Sequence, residues 1–215
     1  MSVSREKWEA AAAGPLAVFG VGFLIAYSVL VLAPELPRWL VVFLTVELAL
    51  TWIAFALDLV VRVSLTERGA RSSFLARHPI DVLSVLFPLF RAFRVADLLR
   101  SVRYFRSRSG DAVRARVLAF AATYAVLFIY FMALATLQAE RSAPGATITD
   151  IGTALWWACV TIATVGYGDA YPITTLGRLY AVLLMAGGVA IVGTATALVI
   201  SYLGDRIRTI HDRQS

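Results

Sequence analysis

The chain has 215 residues, of which 60% are hydrophobic, and its formal net charge is +6. Soluble domains are typically about 45–50% apolar, so this composition indicates a membrane protein. The arginines flank or enter apolar runs and no nucleic-acid-binding module is visible, which excludes nucleic acid as the expected partner, while the single cysteine, Cys159, excludes an intrachain disulfide framework.

Apolar runs along the chain predict six membrane spans. A helix needs roughly 20 apolar residues to cross a bilayer. We predict spans over residues 15–33, 38–61, 79–89, 89–107, 117–137 and 174–203. The third is short and runs almost directly into the fourth. Between the fifth and sixth, a polar stretch leads to a short apolar helix at 150–162.

The distribution of arginine predicts the topology, because cytoplasmic loops carry an excess of Lys and Arg. The loop 62–78, the connector after the fourth span and the tail after 203 are rich in arginine, whereas the loops 34–38 and 138–149 are nearly neutral. We therefore expect both termini to be cytoplasmic and the protein to lie in the cell membrane.

The most specific motif is the run from Thr164 to Gly168, Thr-Val-Gly-Tyr-Gly, followed by Asp169. Its glycines permit backbone geometry that other residues resist, so successive carbonyls can face one axis. Four chains would then supply rings of carbonyls that replace the hydration shell of K⁺. The expected ligands are the carbonyls of residues 164–167 and the Thr164 hydroxyl. The alternative, a simple glycine turn between two helices, is disfavoured by the motif's length and by its place between two spans.

At these residues the chain resembles potassium channels. Residues 117–203 look like their pore module, with Trp156-Trp157, the Thr-Val-Gly-Tyr-Gly-Asp run and Tyr171-Pro172 in family positions. The resemblance implies a selectivity filter at Thr164, Val165, Gly166, Tyr167 and Gly168, supported by Trp156, Trp157 and Asp169. It implies that Trp156 bonds Asp169 and that Trp157 braces Tyr167. Val160 stands where some bacterial relatives carry Glu, so their carboxyl-pair control of filter inactivation is not expected here.

Glycines within the sixth span have two interpretations. Small residues let membrane helices approach closely, and a glycine also weakens a helix by about 1 kcal/mol relative to Ala, which suits a gating hinge. The resemblance favours Gly188 as the hinge, and both interpretations remain open.

Arginines recur at every third position of the fourth span, and the step is broken by Asp97. Its members are Arg91, Arg94, Arg100, Arg103 and Arg106. Arginines inside a membrane need water or acidic partners, and Glu47, Asp58 and Asp81 on the second and third spans are candidates. The alternatives are a basic helix lying on the inner leaflet and acids that only reach the cytoplasmic interface.

Phe55 lies three residues before Asp58, on the same helical face. This arrangement resembles the charge-transfer centre of voltage-sensor domains, formed here by Phe55, Asp58, Asp81 and Glu47, with the five arginines as gating charges. Asp97 departs from the family pattern and cancels one charge, which predicts a shallower voltage dependence.

The sequence therefore predicts an all-α membrane protein that assembles as a homotetramer. The expected organisation is an N-terminal segment at 1–14, a voltage-sensor-like unit of four spans at 15–108, a linker at 109–116, a pore unit at 117–203 and a tail at 204–215. The expected partners are further copies of the chain, lipids and K⁺, with no cofactor or metal beyond permeant K⁺ and no enzymatic activity. The expected function is passive K⁺ conduction with opening biased by voltage. Two rivals stay open: a voltage-insensitive channel and a non-conducting partner subunit.

Overall fold

Five α-helices and no strand occur in the residues that the computed structural model describes, which are 5–33, 35–66 and 110–211. The helices are α1 (Arg5–Leu32), α2 (Arg38–Ser64), α3 (Gly110–Glu140), α4 (Ile151–Ile162) and α5 (Thr175–His211). The all-helical prediction is confirmed for these residues. The predicted spans at 79–89 and 89–107 lie outside the described residues, and the six-span layout and the tetramer stay predictions.

The chain divides into two compact units, Met1–Val113 and Arg114–Ser215. The division falls inside the stretch 109–116 that the sequence marks as a linker. That stretch does not form a separate connector, because α3 already begins at Gly110.

In the first unit α1 packs against α2. Helix α1 begins ten residues before the predicted span, so the segment expected at 1–14 is helical from Arg5 onward and continuous with the span. Its sequence explains the extension, because four alanines precede Gly14 and alanine has the highest helix propensity. Helix α2 begins after Pro37, whose extended backbone stops any earlier helix and whose carbonyl accepts the Leu40 N–H at 2.9 Å.

The buried positions of α2 form one face. They are Leu44, Thr51, Phe55, Asp58 and Arg62, at separations of three, four and seven residues. Arg62 was predicted in a cytoplasmic loop, and this is wrong, because α2 continues to Ser64 and Arg62 is a buried helical residue. Hydropathy ends the predicted span before Arg62, whereas the helix continues because Arg62 pairs with the carboxylate of Asp58 one turn earlier.

In the second unit α3 carries the core, with residues 131–137 all buried. A loop then leads to α4, and a non-helical segment from Ala163 to Thr174 connects α4 to α5. Helices α3 and α5 are both longer than the predicted spans at 117–137 and 174–203, because hydropathy marks the apolar part of a helix and not its ends.

Four stretches of the described helices are long and apolar enough to cross a membrane. They are Ala11–Leu32, Arg38–Ser64, Ala121–Glu140 and Thr175–Ala197. Many of their apolar side chains are exposed, such as Val42 and Phe43 on α2 and Val182 and Val189 on α5. Exposed apolar faces of this size are typical of helices that contact lipid or other protein chains, as in a multi-pass membrane protein.

Candidate functional site

Helix α4 begins at a side-chain cap. Asp150 has an extended backbone, and its carboxylate accepts hydrogen bonds from the Thr153 N–H at 2.9 Å and the Thr153 hydroxyl at 2.6 Å. Bonds to the charged form of a carboxyl favour that form. The Thr153 hydroxyl, followed by the Thr153 N–H, therefore lowers the pKa of Asp150 from its ordinary value. The cap fixes the start of α4, and the motif follows directly after the C-terminal end of this helix.

The backbone of the motif alternates in handedness. Left-handed φ values occur at Thr164 (59°), Gly166 (57°) and Gly168 (78°), and not at Val165 or Tyr167. In an ordinary extended strand successive carbonyls point to opposite sides. Left-handed geometry at every second residue allows them to point to one side instead.

The amide hydrogens at the start of the motif bond to the last turn of α4. Thr164 N–H donates to the Thr161 carbonyl at 3.0 Å, and the Val160 carbonyl accepts from both Val165 (2.9 Å) and Gly166 (3.2 Å). The carbonyls of residues 164–167 accept no hydrogen bond from the described residues. Since backbone polar groups at membrane depth must be satisfied or line a water-filled path, these four oxygens are available as ligands.

Thr164 is the one residue other than glycine with a left-handed φ in the described ranges. Such a conformation costs about 1–3 kcal/mol outside glycine. The sequence placed Thr164 in the motif but expected special geometry only at the glycines. No feature of the sequence marks this strain, because threonine is common at ordinary positions.

Trp156 supports the C-terminal end of the motif in two ways. Its indole N–H donates to the Asp169 carboxylate at 2.7 Å, and its ring stacks on Tyr167 with centroids 5.6 Å apart and planes 3° from parallel. The bond between Trp156 and Asp169 was predicted, but Trp157 was expected beside Tyr167. Within one chain Trp157 is buried and makes no ring contact or hydrogen bond with Tyr167, because the helical turn of α4 directs the two adjacent rings differently.

Glu140 is a site residue that sequence reasoning missed. This last residue of α3 is fully buried, and its carboxylate accepts the N–H groups of Ile173 and Thr174, both at 2.9 Å, and the Thr174 hydroxyl at 2.6 Å. Gly177 faces the same carboxylate, with no room there for a side chain. Glu140 thereby joins the end of α3 to the start of α5. The feature of the sequence that could have marked Glu140 is its position as a single acidic residue shortly after the predicted fifth span.

Thr147 makes a second tie to the segment after the motif. Its hydroxyl accepts the Tyr171 N–H and donates to the Tyr171 carbonyl, both at 3.0 Å. The loop between α3 and α4 is thus bonded to the residues that leave the motif. Together with Glu140, this contact holds both ends of the stretch 171–174.

Two adjacent glycines of α5 contact different helices. A side chain at Gly188 would meet Ile162 Cγ1 at 2.7 Å, at the end of α4, and a side chain at Gly187 would overlap the Phe128 ring of α3. Gly193, by contrast, has no atom within 4 Å. The packing interpretation of Gly188 therefore has a direct structural basis, and the hinge stays a prediction.

The candidate charge-transfer residues lie in the first unit. Phe55 and Asp58 are buried on the face of α2 described above, with exposures of 1% and 4%. Asp58 pairs with Arg62 of its own helix and accepts the Trp8 indole N–H of α1 at 3.1 Å. Glu47 accepts a hydrogen bond from the Thr51 hydroxyl at 3.0 Å. Its Oε1 would lie 2.9 Å from a Cβ atom added at Gly22 of α1. Asp81 and the arginines between 91 and 106 lie outside the described residues.

Comparison with known proteins finds similarity to ion channels over the second unit. Residues 116–205 match a family model described as "Ion channel". A cyclic nucleotide-gated potassium channel of Rhizobium etli is 33% identical over 158 residues, which is 67% of this chain and 44% of the relative. A mouse protein, potassium voltage-gated channel subfamily V member 2, is 42% identical over 77 residues, 36% of this chain and 14% of the relative.

A third relative has a different description. A voltage-gated potassium channel regulatory subunit of Rattus norvegicus is 30% identical over 133 residues, 60% of this chain and 26% of the relative. The chain spans less than half the length of each of these three relatives. The ion-channel match shows that residues 116–205 belong to the ion-channel family, and the relatives named here show that the chain is similar to potassium channels.

Proposed function

We propose that the chain is a subunit of a potassium-selective channel in which four copies surround one conduction pathway in the cell membrane. The observation that carries the proposal is the backbone of the motif, where left-handed residues alternate and the carbonyls of 164–167 have no hydrogen-bond donor in the described residues. Four such segments would offer rings of oxygens in place of water around K⁺. The C-terminal end of α4 carries partial negative charge beside them, which favours a cation.

Ion flux into liposomes tests this proposal. The full chain is expected to pass K⁺ and Rb⁺ far better than Na⁺. In Gly168→Ala the added methyl group meets open space, but the residue has a φ of +78°, which costs about 1–2 kcal/mol with a side chain. We expect this variant to assemble and to lose selective flux. Gly14→Ala also adds a methyl group in open space, within a helix, and is the control. Equal Na⁺ and K⁺ permeability in the native chain would contradict the filter.

A second candidate is a regulatory subunit that conducts only together with a different channel chain. Its support is the similarity to the regulatory subunit of Rattus norvegicus. The same liposomes separate the two functions. A protein that inserts and forms four-copy assemblies but passes no K⁺ alone would favour the regulatory function, and flux from the purified chain would exclude it.

We also propose that membrane voltage biases opening. The support is the buried pair Phe55 and Asp58 on one face of α2, together with the three-residue arginine step in the sequence. Arg100→Gln should flatten the conductance–voltage curve, because it removes a charge from the step. Asp97→Asn should steepen it, because it removes an opposing charge. If neither variant changes the slope, the first unit is a scaffold and the channel is voltage-insensitive.

A further inference from the structure

We propose that Trp8 is a positioning residue for Asp58 and that it sets the voltage at which the first unit responds. The proposal rests on the voltage dependence proposed above. It assigns a role in that function to the N-terminal extension of α1, which hydropathy places outside the first span.

The contact itself joins two distant parts of the sequence. Trp8 lies in the first turn of α1 and Asp58 near the end of α2, fifty residues apart, and the indole Nε1–H donates to Asp58 Oδ1 at 3.1 Å. The contact requires that α1 continue unbroken back to Arg5. A tryptophan that only anchored the chain in lipid headgroups would not need a bond to a carboxylate that is 4% exposed.

Two kinds of donor reach Asp58 from the described residues. Arg62 pairs with it from one turn further along α2 and supplies a full charge. Trp8 supplies a neutral hydrogen bond from the neighbouring helix. A buried carboxylate is costly unless it is paired and hydrogen-bonded, so both donors stabilise its charged form and fix its orientation.

These donors affect any further cation that reaches Asp58. An ionised carboxylate offers about four acceptor positions, and an arginine that binds there from another helix shares oxygens that also accept from Trp8 and Arg62. Removing the Trp8 donor would leave Asp58 a stronger acceptor. The state in which such an arginine occupies Asp58 would then gain stability. The midpoint of the conductance–voltage curve would shift in the direction that populates this state. The slope would not change, because Trp8 carries no charge.

Conductance–voltage curves of the full chain in bilayers test this mechanism. Trp8→Phe keeps an aromatic ring and removes the N–H. We expect the midpoint to shift by on the order of 20 mV, from the strength of a hydrogen bond to a charged group and the work of moving charge in the field. The limiting slope should stay unchanged. Trp39→Phe is the matched control, since Trp39 is 70% exposed on α2.

A double variant separates the hydrogen bond from packing. In an Asp58→Asn background, Trp8→Phe should produce a much smaller midpoint shift, because the amide oxygen still accepts the N–H but carries no charge to attract an arginine. An equal shift in both backgrounds would show that Trp8 acts by packing and would overturn the proposal. A voltage-dependent native chain whose midpoint is unaffected by Trp8→Phe would overturn it as well.

A spectroscopic measurement tests the contact without reference to voltage. The indole N–H resonance of Trp8 in the ¹⁵N-labelled full chain is identified by its loss in Trp8→Phe. We expect Asp58→Asn to move this resonance and Glu47→Gln, three turns away on α2, to leave it in place. A native chain with no voltage dependence would contradict the proposed gating and the role of Trp8 in it, while an unmoved resonance in Asp58→Asn would contradict the contact itself.

Discussion

Glu140 shows how one carboxylate can hold the segment that leaves the candidate filter. It accepts three hydrogen bonds from Ile173 and Thr174, and Thr174 in turn accepts the Gly177 N–H at 2.9 Å, which caps the start of α5. A change at Glu140 therefore alters the end of α3, the start of α5 and the residues between the motif and α5 together.

Glu140→Gln tests this arrangement. The amide keeps the shape but replaces one acceptor with a donor that faces a backbone N–H. Because hydrogen bonds to charged groups contribute about 1.5–3 kcal/mol, we expect a loss of about 2 kcal/mol in the free energy of unfolding and a faster decline of K⁺ flux during sustained opening. Thermal unfolding of the purified protein measures the first effect. Glu35→Gln, in the exposed loop after α1, is the control, and equal Tm values for the two variants would contradict the role of Glu140.

At the scale of single residues, the sequence predicted the part of the candidate site whose residues form one contiguous motif. Residues 164–168 form one contiguous run, and the bond from Trp156 to Asp169 was implied by the resemblance to potassium channels. Glu140 does not, because its partners lie 33 and 34 residues further along the chain and no periodicity connects them. The contact between Trp8 and Asp58 was missed for the same reason. Trp156 and Trp157 are equivalent in the sequence, and only the turn of α4 decides which ring stacks on Tyr167.

Among the elements, α5 depends on glycine for two close approaches. Gly187 admits the Phe128 ring and Gly188 admits Ile162. A helix that needed glycine only for bending would not place two neighbouring helices against these particular positions.

The glycines of α5 can be compared as a series. Gly→Ala favours a helix by about 1 kcal/mol, but overpacking a tight contact costs about 1–3 kcal/mol. Gly193→Ala should therefore raise the free energy of unfolding, whereas Gly187→Ala and Gly188→Ala should lower it relative to Gly193→Ala. Denaturant unfolding measures the series. Ile162→Val should partly restore the stability of Gly188→Ala. If Gly188→Ala and Gly193→Ala were equally stable, packing would not explain Gly188, and the hinge interpretation would be left.

The cap of α4 gives a prediction that depends on pH. Hydrogen bonds from Thr153 lower the pKa of Asp150 from 3.8. A carboxyl with a lowered pKa in the folded state stabilises the protein above its unfolded pKa, and the contribution is lost as pH falls through the folded value. Asp150→Ala should therefore have a lower Tm than the native chain at neutral pH, and the gap should narrow below about pH 3.8. A gap that is the same at pH 7 and pH 3 would show that the charge of Asp150 plays no part.

The helices themselves were predicted in number and order within the described ranges, but their ends were not. Apolar runs located α1, α2, α3, α4 and α5. The ends differ where residues outside the apolar run continue a helix. In α1 the alanines before Gly14 favour the helix and Trp8 bonds to Asp58 of the neighbouring helix, and in α2 Arg62 bonds to Asp58 one turn away. Such compensation is a tertiary contact, which hydropathy does not contain.

For the molecule as a whole, the division at Val113 suggests that the second unit can be produced alone. We expect a chain lacking residues 1–108 to insert in membranes and to form four-copy assemblies, because α3 begins at Gly110 and the second unit has its own core. Cross-linking and mass measurement in mild detergent determine the copy number. A fragment that inserts but stays monomeric would show that the first unit is required for assembly.

The exposure of the motif has a genetic consequence. Residues 163–169 are all exposed in a single chain, so in the proposed tetramer each copy would supply one of the four sides of the pathway. In the proposed tetramer, a defective allele whose product still assembles would be dominant. With equal expression of both alleles and random mixing, only about one assembly in sixteen would contain four sound copies. An allele whose product fails to assemble would instead be recessive.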